Sequence, residues 1–230
     1  MRRNYRSVLA LLYDIHANLP ALEAVLAEAN ERGADMYLLG GDYVGFGPFQ
    51  RETFARLREL DRPAMWIRGN GERWMREPPV DRAEILGNLR EHTARFSEEE
   101  VEWLYRLPER AEIDRVVYVH GCWWSDVDSF AREPQDADEL RVGPLTGRTL
   151  VFGHSHVQFR RSGAKGNELV NPGSVGMPLD GDTRAAWASW DGKDFTFHRT
   201  EYDLEPVIEA ARHLGGWSDT LVHRYTYASD

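Results

Sequence analysis

The stretch SVLALLYDIHANLPALEAVLAEANE, residues 7–31, contains a predicted strand and a predicted helix joined by a short polar loop. Residues 7–13 form an apolar run of the length expected for a buried strand. The segment Leu19–Glu31 has apolar residues at helical spacing, with Asn18 in the N-cap position and Pro20 in the first turn. A buried strand followed at once by an amphipathic helix is typical of a parallel α/β sheet.

The same alternation of strand and helix continues through the first half of the chain. Short strands are predicted at Met36–Leu39 and Ala64–Ile67, with a helix at Arg51–Leu60 between them. This order predicts parallel strands joined by right-handed crossovers. Two further helices are predicted at Asp81–Phe96 and Ser97–Leu107, and the second begins with the spacing of a capping box.

The second half of the chain has more strand-like segments. Buried strands are predicted at Val116–Val119 and Thr149–Phe152, and a β-hairpin is predicted at Ala186–Arg199. A last helix is predicted at Glu205–Leu214. From these elements we expect two packed sheets with helices on the outside.

Composition and charge bound the classes of function. The 230 residues suit one domain, residues 1–230, and their net charge of −10 argues against a nucleic-acid polymer as partner. No apolar run approaches the roughly 20 residues of a membrane span. The basic-then-apolar start, residues 1–14, lacks a signal-peptide cleavage site. The single cysteine, Cys122, permits no intrachain disulfide and fits a reducing compartment, so we expect a cytoplasmic protein that has no membrane partner.

Five loops that follow predicted strands carry side chains of the types that bind metals. They are YDIHAN (13–18), GGDYVGFGP (40–48), RGNGER (68–73), VHG (119–121) and FGHSHV (152–157). Ligands bind beyond the carboxyl ends of the strands in parallel sheets, so these loops are expected to converge.

Taken singly, each candidate ligand has a structural explanation. Asp14 suits a helix cap, Asn70 between two glycines suits a left-handed turn, and His120 suits a core position. Taken together, two carboxylates, one amide oxygen and four imidazoles suit borderline divalent ions such as Mn²⁺, Fe or Zn²⁺. Two ions that share one carboxylate would use the whole set. Its members are Asp14, His16, Asp42, Asn70, His120, His154 and His156.

In order and spacing, these blocks resemble the calcineurin-like metallophosphoesterases. The pattern of that family is D-x-H, G-D, G-N-H-D/E, a later His and G-H-x-H, and four of the five blocks match here. The tail VNPGSVGMPLDGDTRAAWASWD (170–191) is similar to that of the small bacterial and archaeal phosphodiesterase branch. The resemblance extends from Val8 to about Arg199. It implies an α/β fold, a four-layer αββα sandwich of two mixed β-sheets flanked by helices.

The resemblance also implies a role for each ligand. One divalent ion would be held by Asp14, His16 and His156, and the other by Asn70, His120 and His154, with Asp42 bridging both. The implied reaction is hydrolysis of a phosphodiester or phosphoanhydride bond in a small nucleotide-like substrate by a hydroxide that bridges two Mn, Fe or Zn ions. The residues assigned to catalysis are therefore Asp42, Asn70 and His120.

One block departs from the family pattern. Gly71 stands where the family has a histidine that is thought to steady the transition state or protonate the leaving group. A positioned general acid contributes about 10²–10⁴-fold to a rate. Its absence predicts a preference for leaving groups of low pKa, such as the nucleotide released from a phosphoanhydride or the aryl alcohol released from an aryl phosphate. It also leaves two alternatives open, a phosphomonoesterase and a catalytically weak metal-binding or protein-interaction module.

The segment HGCWWSDVDSF, residues 120–130, is predicted to face the substrate. Trp123 and Trp124 either stack on a base or pack over the sheet edge as a lid or interface, and both alternatives stay open. Cys122 and Glu72 are the other candidates for substrate contact. Tyr13 is bulky where the family has a small residue, and it is expected to narrow the site. We expect a small phosphorylated substrate as partner, with a homo-oligomer as an open alternative.

Overall fold

The computed structural model describes residues 7–80 and 83–230. Its strands, in chain order, are β1 Val8–Leu12, β2 Ala34–Leu39, β3 Ala64–Trp66, β4 Arg110–Ile113, β5 Val116–Val119, β6 Thr149–Val151, β7 Phe159–Ser162, β8 Glu168–Asn171, β9 Ala185–Trp190 and β10 Phe195–Thr200. Its α-helices are α1 Leu19–Glu31, α2 Gln50–Arg58, α3 Asn70–Trp74, α4 Ala83–Thr93, α5 Glu98–Tyr105, α6 Asp138–Arg141, α7 Glu205–Ala211 and α8 Ser218–Tyr227. Short 3₁₀ turns occur at Ala164–Gly166 and Gly215–Trp217.

The strands form two mixed five-stranded sheets. The first has the order β10-β9-β1-β2-β3, in which β1, β2 and β3 are parallel and β9 is antiparallel to both of its neighbours, β1 and β10. The second has the order β4-β5-β6-β8-β7, in which β5, β6 and β8 are parallel and the two edge strands are antiparallel. Each sheet therefore contains three neighbouring parallel strands, so the loops that follow these strands lie at one end of the sheet.

Side chains that alternate along β1 serve two apolar layers. Leu9 and Leu11 pack with Tyr118 of β5 in the layer between the two sheets. Ala10 and Leu12 point to the other face and pack with the apolar sides of α1, α2 and α5. Because successive side chains of a strand point to opposite faces, one strand can be buried on both sides.

The outer face of the second sheet is also covered. Val117 and Leu150 from this sheet pack with Phe130, Val142 and neighbouring residues, which come from the segment around α6. Helices thus flank the first sheet, while α6 and irregular chain flank the second, and the four layers form the αββα sandwich that was predicted. Full burial of each large apolar side chain contributes about 1.5–3 kcal/mol.

Local signals predicted several element boundaries well. The Asn18 side chain caps α1 by accepting a hydrogen bond from the Ala21 amide at 3.2 Å. Ser97 and Glu100 form the capping box of α5. In the prediction Asp81–Phe96, residues 81 and 82 lie outside the described residues, as do residues 1–6 of the basic start, and the remainder corresponds to α4.

Tyr13 was predicted to narrow the site, but the structure places its side chain elsewhere. Its ring is fully buried in the layer between the sheets. Gly40 and Gly153 make room for the ring, because a Cβ atom at either position would lie 2.1 Å or 2.6 Å from its carbons. Among the described residues, no helix combines the length and the apolar character needed to cross a membrane.

Candidate metal centre

The predicted ligands lie together at the carboxyl ends of the parallel strands. Three of the ligand loops follow β1, β2 and β3 of the first sheet, and two follow β5 and β6 of the second. The seven side chains are buried apart from His154, which is partly exposed. His154 is therefore the candidate ligand that is most open to solvent.

Backbone strain is concentrated at the candidate ligands. Five of them have a positive φ, namely Asp14 (52°), His16 (46°), Asp42 (54°), His154 (65°) and His156 (57°). The left-handed region costs a residue with a side chain of the order of 1–3 kcal/mol and persists where the surroundings enforce it. Here the loops enforce it mutually, since the His16 amide donates to the Asp42 carbonyl at 2.9 Å. Strain of this kind is typical of functional sites.

The first ligand group consists of Asp14, His16 and His156. The Nδ1 atom of His156 lies 2.7 Å from the Met177 carbonyl oxygen, which can only accept, so Nδ1 carries the proton and Nε2 has a free lone pair. That Nε2 lies 3.0 Å from Nε2 of His16 and 3.5 Å from Oδ1 of Asp14. Two nitrogens that each lie about 2.1 Å from one ion at a right angle are about 3.0 Å apart. Oδ1 of Asp14 is buried without a hydrogen-bond partner, and a cation would satisfy it.

The second ligand group contains Asp42, His120 and His154, together with the amide of Asn70. Nδ1 of His120 donates to the Gly40 carbonyl at 2.9 Å, so its Nε2 also presents a lone pair. The Asn70 amide oxygen lies 3.0 Å from this Nε2 and 2.8 Å from Nδ1 of His154. The amide oxygen of Asn70 thus faces the ring nitrogens of two histidines, and this arrangement is favourable when a cation lies between them. Without a cation, the amide would turn so that its NH₂ group faces these nitrogens.

Asp42 lies between the two groups. Its Oδ2 is 3.7 Å from Nε2 of His16, and its Oδ1 is 3.5 Å from Nε2 of His120. The Gly71 amide donates to Oδ1 at 2.7 Å and fixes the orientation of the carboxylate. One carboxylate therefore presents one oxygen to each ligand group.

The pKa values of the buried groups match a cation site. Burial, and then the charge of His156, lower the pKa of His16 well below its usual value, while burial and the charge of His120 lower the pKa of His154 to about 4. Both rings are thus neutral near pH 7, the form that binds metals. Burial and the charge of Asp14 raise the pKa of Asp42 well above its usual value. Burial acts to raise the pKa of Asp14, but the charges of the surrounding histidines together outweigh this effect. The pKa of Asp14 is therefore lower than its usual value.

Glu72 lies beneath the ligands rather than against a substrate. It is fully buried, and its two oxygens accept hydrogen bonds from the amides of Asp42, Tyr43 and Gly69, each at 2.9 Å. Burial and the charge of Asp42 raise its pKa to about 7. The structure therefore gives Glu72 the position of a carboxylate that holds two ligand loops together, and this differs from the substrate contact that was predicted.

The glycines on either side of Asn70 serve close packing. Asn70 begins α3 and is not a left-handed turn residue. A Cβ atom at Gly69 would lie 2.3 Å from Oδ1 of Asp42, and one at Gly71 would lie 2.9 Å from the same atom. The two glycines therefore let the backbone of this loop lie closer to the Asp42 carboxylate than residues with a Cβ atom could.

A cavity of about 300 Å³ adjoins the centre at His120, and we call it the arginine cavity. Its walls are formed by Arg68, Arg73, Glu109, Arg110 and residues 119–127. The predicted contacts Trp123 and Trp124 both line it, with Trp123 partly buried and Trp124 66% exposed. Cys122 also lines it, but this residue belongs to the apolar cluster on the second sheet.

The sequence reasoning missed an ion pair in the wall of the arginine cavity. Arg73 forms a two-pronged hydrogen-bonded pair with Asp126, at 2.6 Å and 2.7 Å. The two residues are far apart in the chain, so no local pattern could have paired them.

A second cavity, of about 480 Å³, includes Ser155, which lies between the two histidines of the last ligand loop. This cavity is walled in part by residues 129–132.

Comparison with known proteins gives consistent matches over most of the chain. The family model described as the calcineurin-like phosphoesterase superfamily domain matches residues 8–193. An uncharacterized protein of Methanocaldococcus jannaschii is 28% identical, with 89% of this chain and 91% of that protein covered. The structure of a metallophosphoesterase from Sphaerobacter thermophilus is similar with a TM-score of 0.79 and 27% identity, covering 96% of this chain and 99% of that one. A hypothetical protein from Pyrococcus horikoshii shares the fold, with a TM-score of 0.82 at 20% identity over 97% and 99% of the two chains.

Proposed function

Because the chain belongs to the calcineurin-like phosphoesterase superfamily, we propose that it binds two divalent metal ions and hydrolyses a phosphodiester or phosphoanhydride bond of a small nucleotide-like substrate. The observation that carries the proposal is the position of Asp42. Each of its oxygens faces a separate group of ring nitrogens, at 3.7 Å and 3.5 Å. A carboxylate in this position is suited to bridge two ions.

Each ligand group would hold one ion. The first ion would be bound by Asp14, His16 and His156, the second by Asn70, His120 and His154, and Asp42 would bind both. Such a pair of ions supplies Lewis-acid charge for phosphoryl oxygens and lowers the pKa of water toward neutrality. Manganese, iron and zinc all suit the mixed oxygen and nitrogen ligands.

The residues around the ligands keep the site in one geometry. The carbonyls of Gly40 and Met177 fix the protonated nitrogens of His120 and His156, so that both rings present a lone pair inward. Glu72 fixes the loops that carry Asp42 and Asn70 through its bonds to backbone amides. Loss of such supporting contacts typically costs 10–100-fold in metal affinity or activity.

Two cavities favour a substrate with two substituents on phosphorus. The arginine cavity is lined by the candidate ligand His120, and the second cavity is lined by Ser155, which is the chain neighbour of the candidate ligands His154 and His156. A phosphodiester or phosphoanhydride has a group for each cavity, whereas a phosphomonoester has a group for only one. We propose that the enzyme acts in the cytoplasm on a small phosphorylated compound.

Hydrolysis of bis-(p-nitrophenyl) phosphate, with p-nitrophenyl phosphate in parallel, tests this function. We expect turnover of the diester that depends on added Mn²⁺, is lost in Asp42→Asn, and is unchanged in Asp194→Asn, a hairpin carboxylate whose side chain is 61% exposed. Faster turnover of the monoester would instead assign a phosphomonoesterase. Absence of turnover with any divalent ion would overturn the proposal in favour of a binding module.

A further inference from the structure

The arginine cavity is cationic in a protein of opposite charge. Its wall holds the guanidinium groups of Arg68, Arg73 and Arg110 but only two carboxylates, those of Glu109 and Asp126. The whole chain has a net charge of −10. A local excess of positive charge beside a candidate centre attracts an anion, because walls of low dielectric focus the field within a cleft.

One residue, Asp126, connects Arg73 to the candidate ligand Asn70. Its guanidinium binds the carboxylate of Asp126 at 2.6 Å and 2.7 Å, and the main-chain oxygen of Asp126 lies 3.1 Å from the side-chain oxygen of Asn70. Two of the five N–H donors of Arg73 serve Asp126, and its Nη1 lies 4.0 Å from Oε2 of Glu77, beyond hydrogen-bond distance, so donors remain for an anion.

Of the other two arginines, Arg110 has unused capacity for an anion. Arg68 already donates from its Nη atoms to the Tyr105 carbonyl and to Glu109, and its Nε is buried away from the cavity, so it contributes positive charge rather than free donors. The Arg110 guanidinium lies over the Trp123 ring at 4.2 Å, and within the described ranges it has no ion pair with a carboxylate. Anions that carry several oxygens are bound well by such planar, multi-donor groups.

An exposed aromatic surface adjoins these cations. Trp124 lines the arginine cavity and is 66% exposed, and its ring meets Trp123 edge-on at 6.1 Å. A large apolar ring left open to solvent next to guanidinium groups offers a stacking face for a planar ring. The cavity thus combines recognition of negative charge with recognition of an aromatic ring.

We propose that the arginine cavity binds the leaving group of the substrate, that this group is an aromatic anion such as a nucleoside monophosphate, and that Arg73 contacts the leaving oxygen. This inference rests on the function proposed above. In hydrolysis a water oxygen forms the new bond to phosphorus, the bond to the leaving oxygen breaks, and that oxygen keeps the electron pair. The proton from water passes to solvent. Arg73 offsets the charge on the departing oxygen, so the reaction proceeds although Gly71 provides no proton donor.

The dependence of rate on the leaving group tests Arg73. Aryl methyl phosphates with phenols of graded pKa are hydrolysed by the Mn²⁺-loaded wild type, by Arg73→Lys, and by the double variant Arg73→Met, Asp126→Asn, which removes the pair without an unpaired carboxylate. We expect the double variant to lose about 10²-fold more on the poorest leaving group than on the best, with the lysine variant in between. Arg32→Met is the matched control, because this arginine is exposed on the end of α1.

A uniform loss across the series would overturn the role of Arg73, because damage to the structure lowers all the rates alike. This outcome is distinguishable from failure of the proposed function, in which wild type itself shows no Mn²⁺-dependent turnover. Retained turnover with an unchanged slope refutes only the inference about the leaving group.

Calorimetric titration with products tests the cavity without turnover. We expect adenosine monophosphate to bind the Mn²⁺-loaded protein more tightly than inorganic phosphate or adenosine does. Trp124→Ala should weaken the nucleotide about 10-fold and leave phosphate unchanged, since stacking on an aromatic ring acts on the base alone. Tyr227→Ala, which removes another exposed aromatic ring that lies outside the cavity wall, should change neither. Equal affinity for nucleotide and phosphate would overturn the assignment.

Discussion

Substitution of Asp42 by Asn should stabilise the metal-free protein, because the carboxylate it removes is unfavourable without a cation. Burial and the neighbouring charge of Asp14 raise the pKa of Asp42 well above its usual value. A carboxyl whose pKa is raised on folding lowers the free energy of unfolding once the pH exceeds its unfolded pKa of about 3.9, and the loss grows until the pH reaches the folded pKa. The amide has no such loss. We expect a gain of about 1–3 kcal/mol at pH 8, the usual scale for an unfavourable buried polar group.

The same substitution should weaken the metal-loaded protein. The Gly71 amide donates to Oδ1 at 2.7 Å, so the new side chain keeps its oxygen there and turns its NH₂ group toward His16. An NH₂ group of an amide does not bind a cation, and the first ligand group loses its shared oxygen. At metal concentrations 100 times Kd each ion adds about 2.7 kcal/mol, so wild type should gain about 5.4 kcal/mol from two ions and the variant no more than half of that.

Urea unfolding at pH 8 measures both effects, with the metal removed by a chelator and with saturating Mn²⁺. Asp194→Asn serves as the control and should follow wild type under both conditions, because its carboxylate is largely exposed. The reasoning is refuted if Asp42→Asn destabilises the metal-free protein, or if Mn²⁺ stabilises the variant as much as wild type.

Three further substitutions test the surroundings of the site. Gly71→Ala places a Cβ atom 2.9 Å from Oδ1 of Asp42 and should weaken Mn²⁺ binding about 10-fold in calorimetry. The control Gly87→Ala lies in an open position of α4, so it should leave binding unchanged and raise the free energy of unfolding by about 1 kcal/mol. Glu72→Gln puts an amide donor against backbone donors and should loosen the two ligand loops, so it should weaken Mn²⁺ binding about 10-fold in calorimetry; an unchanged affinity would contradict its supporting role. Burial, and then a nearby arginine, lower the pKa of His92 to about 4, so wild type should lose about 2 kcal/mol as the pH falls from 6.5 to 5, and His92→Gln should remove most of that loss.

Elements with strong local patterns were predictable from the sequence. The first strand and helix, the Ser97 capping box and the last hairpin all depend on residues close together in the chain. The edge strands β4 and β7 were missed, because their side chains are mostly exposed or half-buried and give little apolar signal. The last helix α8 was also missed.

Convergence of the candidate ligands was predictable for a physical reason. Loops after parallel strands meet at one edge of a sheet, so an Asp or His after each strand is brought to the same place. The arginine cavity was not predictable, because Arg73 and Asp126 pair across 53 positions of the chain. Glu72 was misplaced for the same reason, since its hydrogen bonds to Asp42 and Tyr43 connect two loops.

The most direct test of the central claim is a titration of the metal-free protein with Mn²⁺ while hydrolysis of bis-(p-nitrophenyl) phosphate is followed. If Asp42 holds two ions as proposed, the rate should rise with added metal and reach a plateau at two equivalents per chain. A plateau at one equivalent, or metal uptake without turnover, would contradict the account.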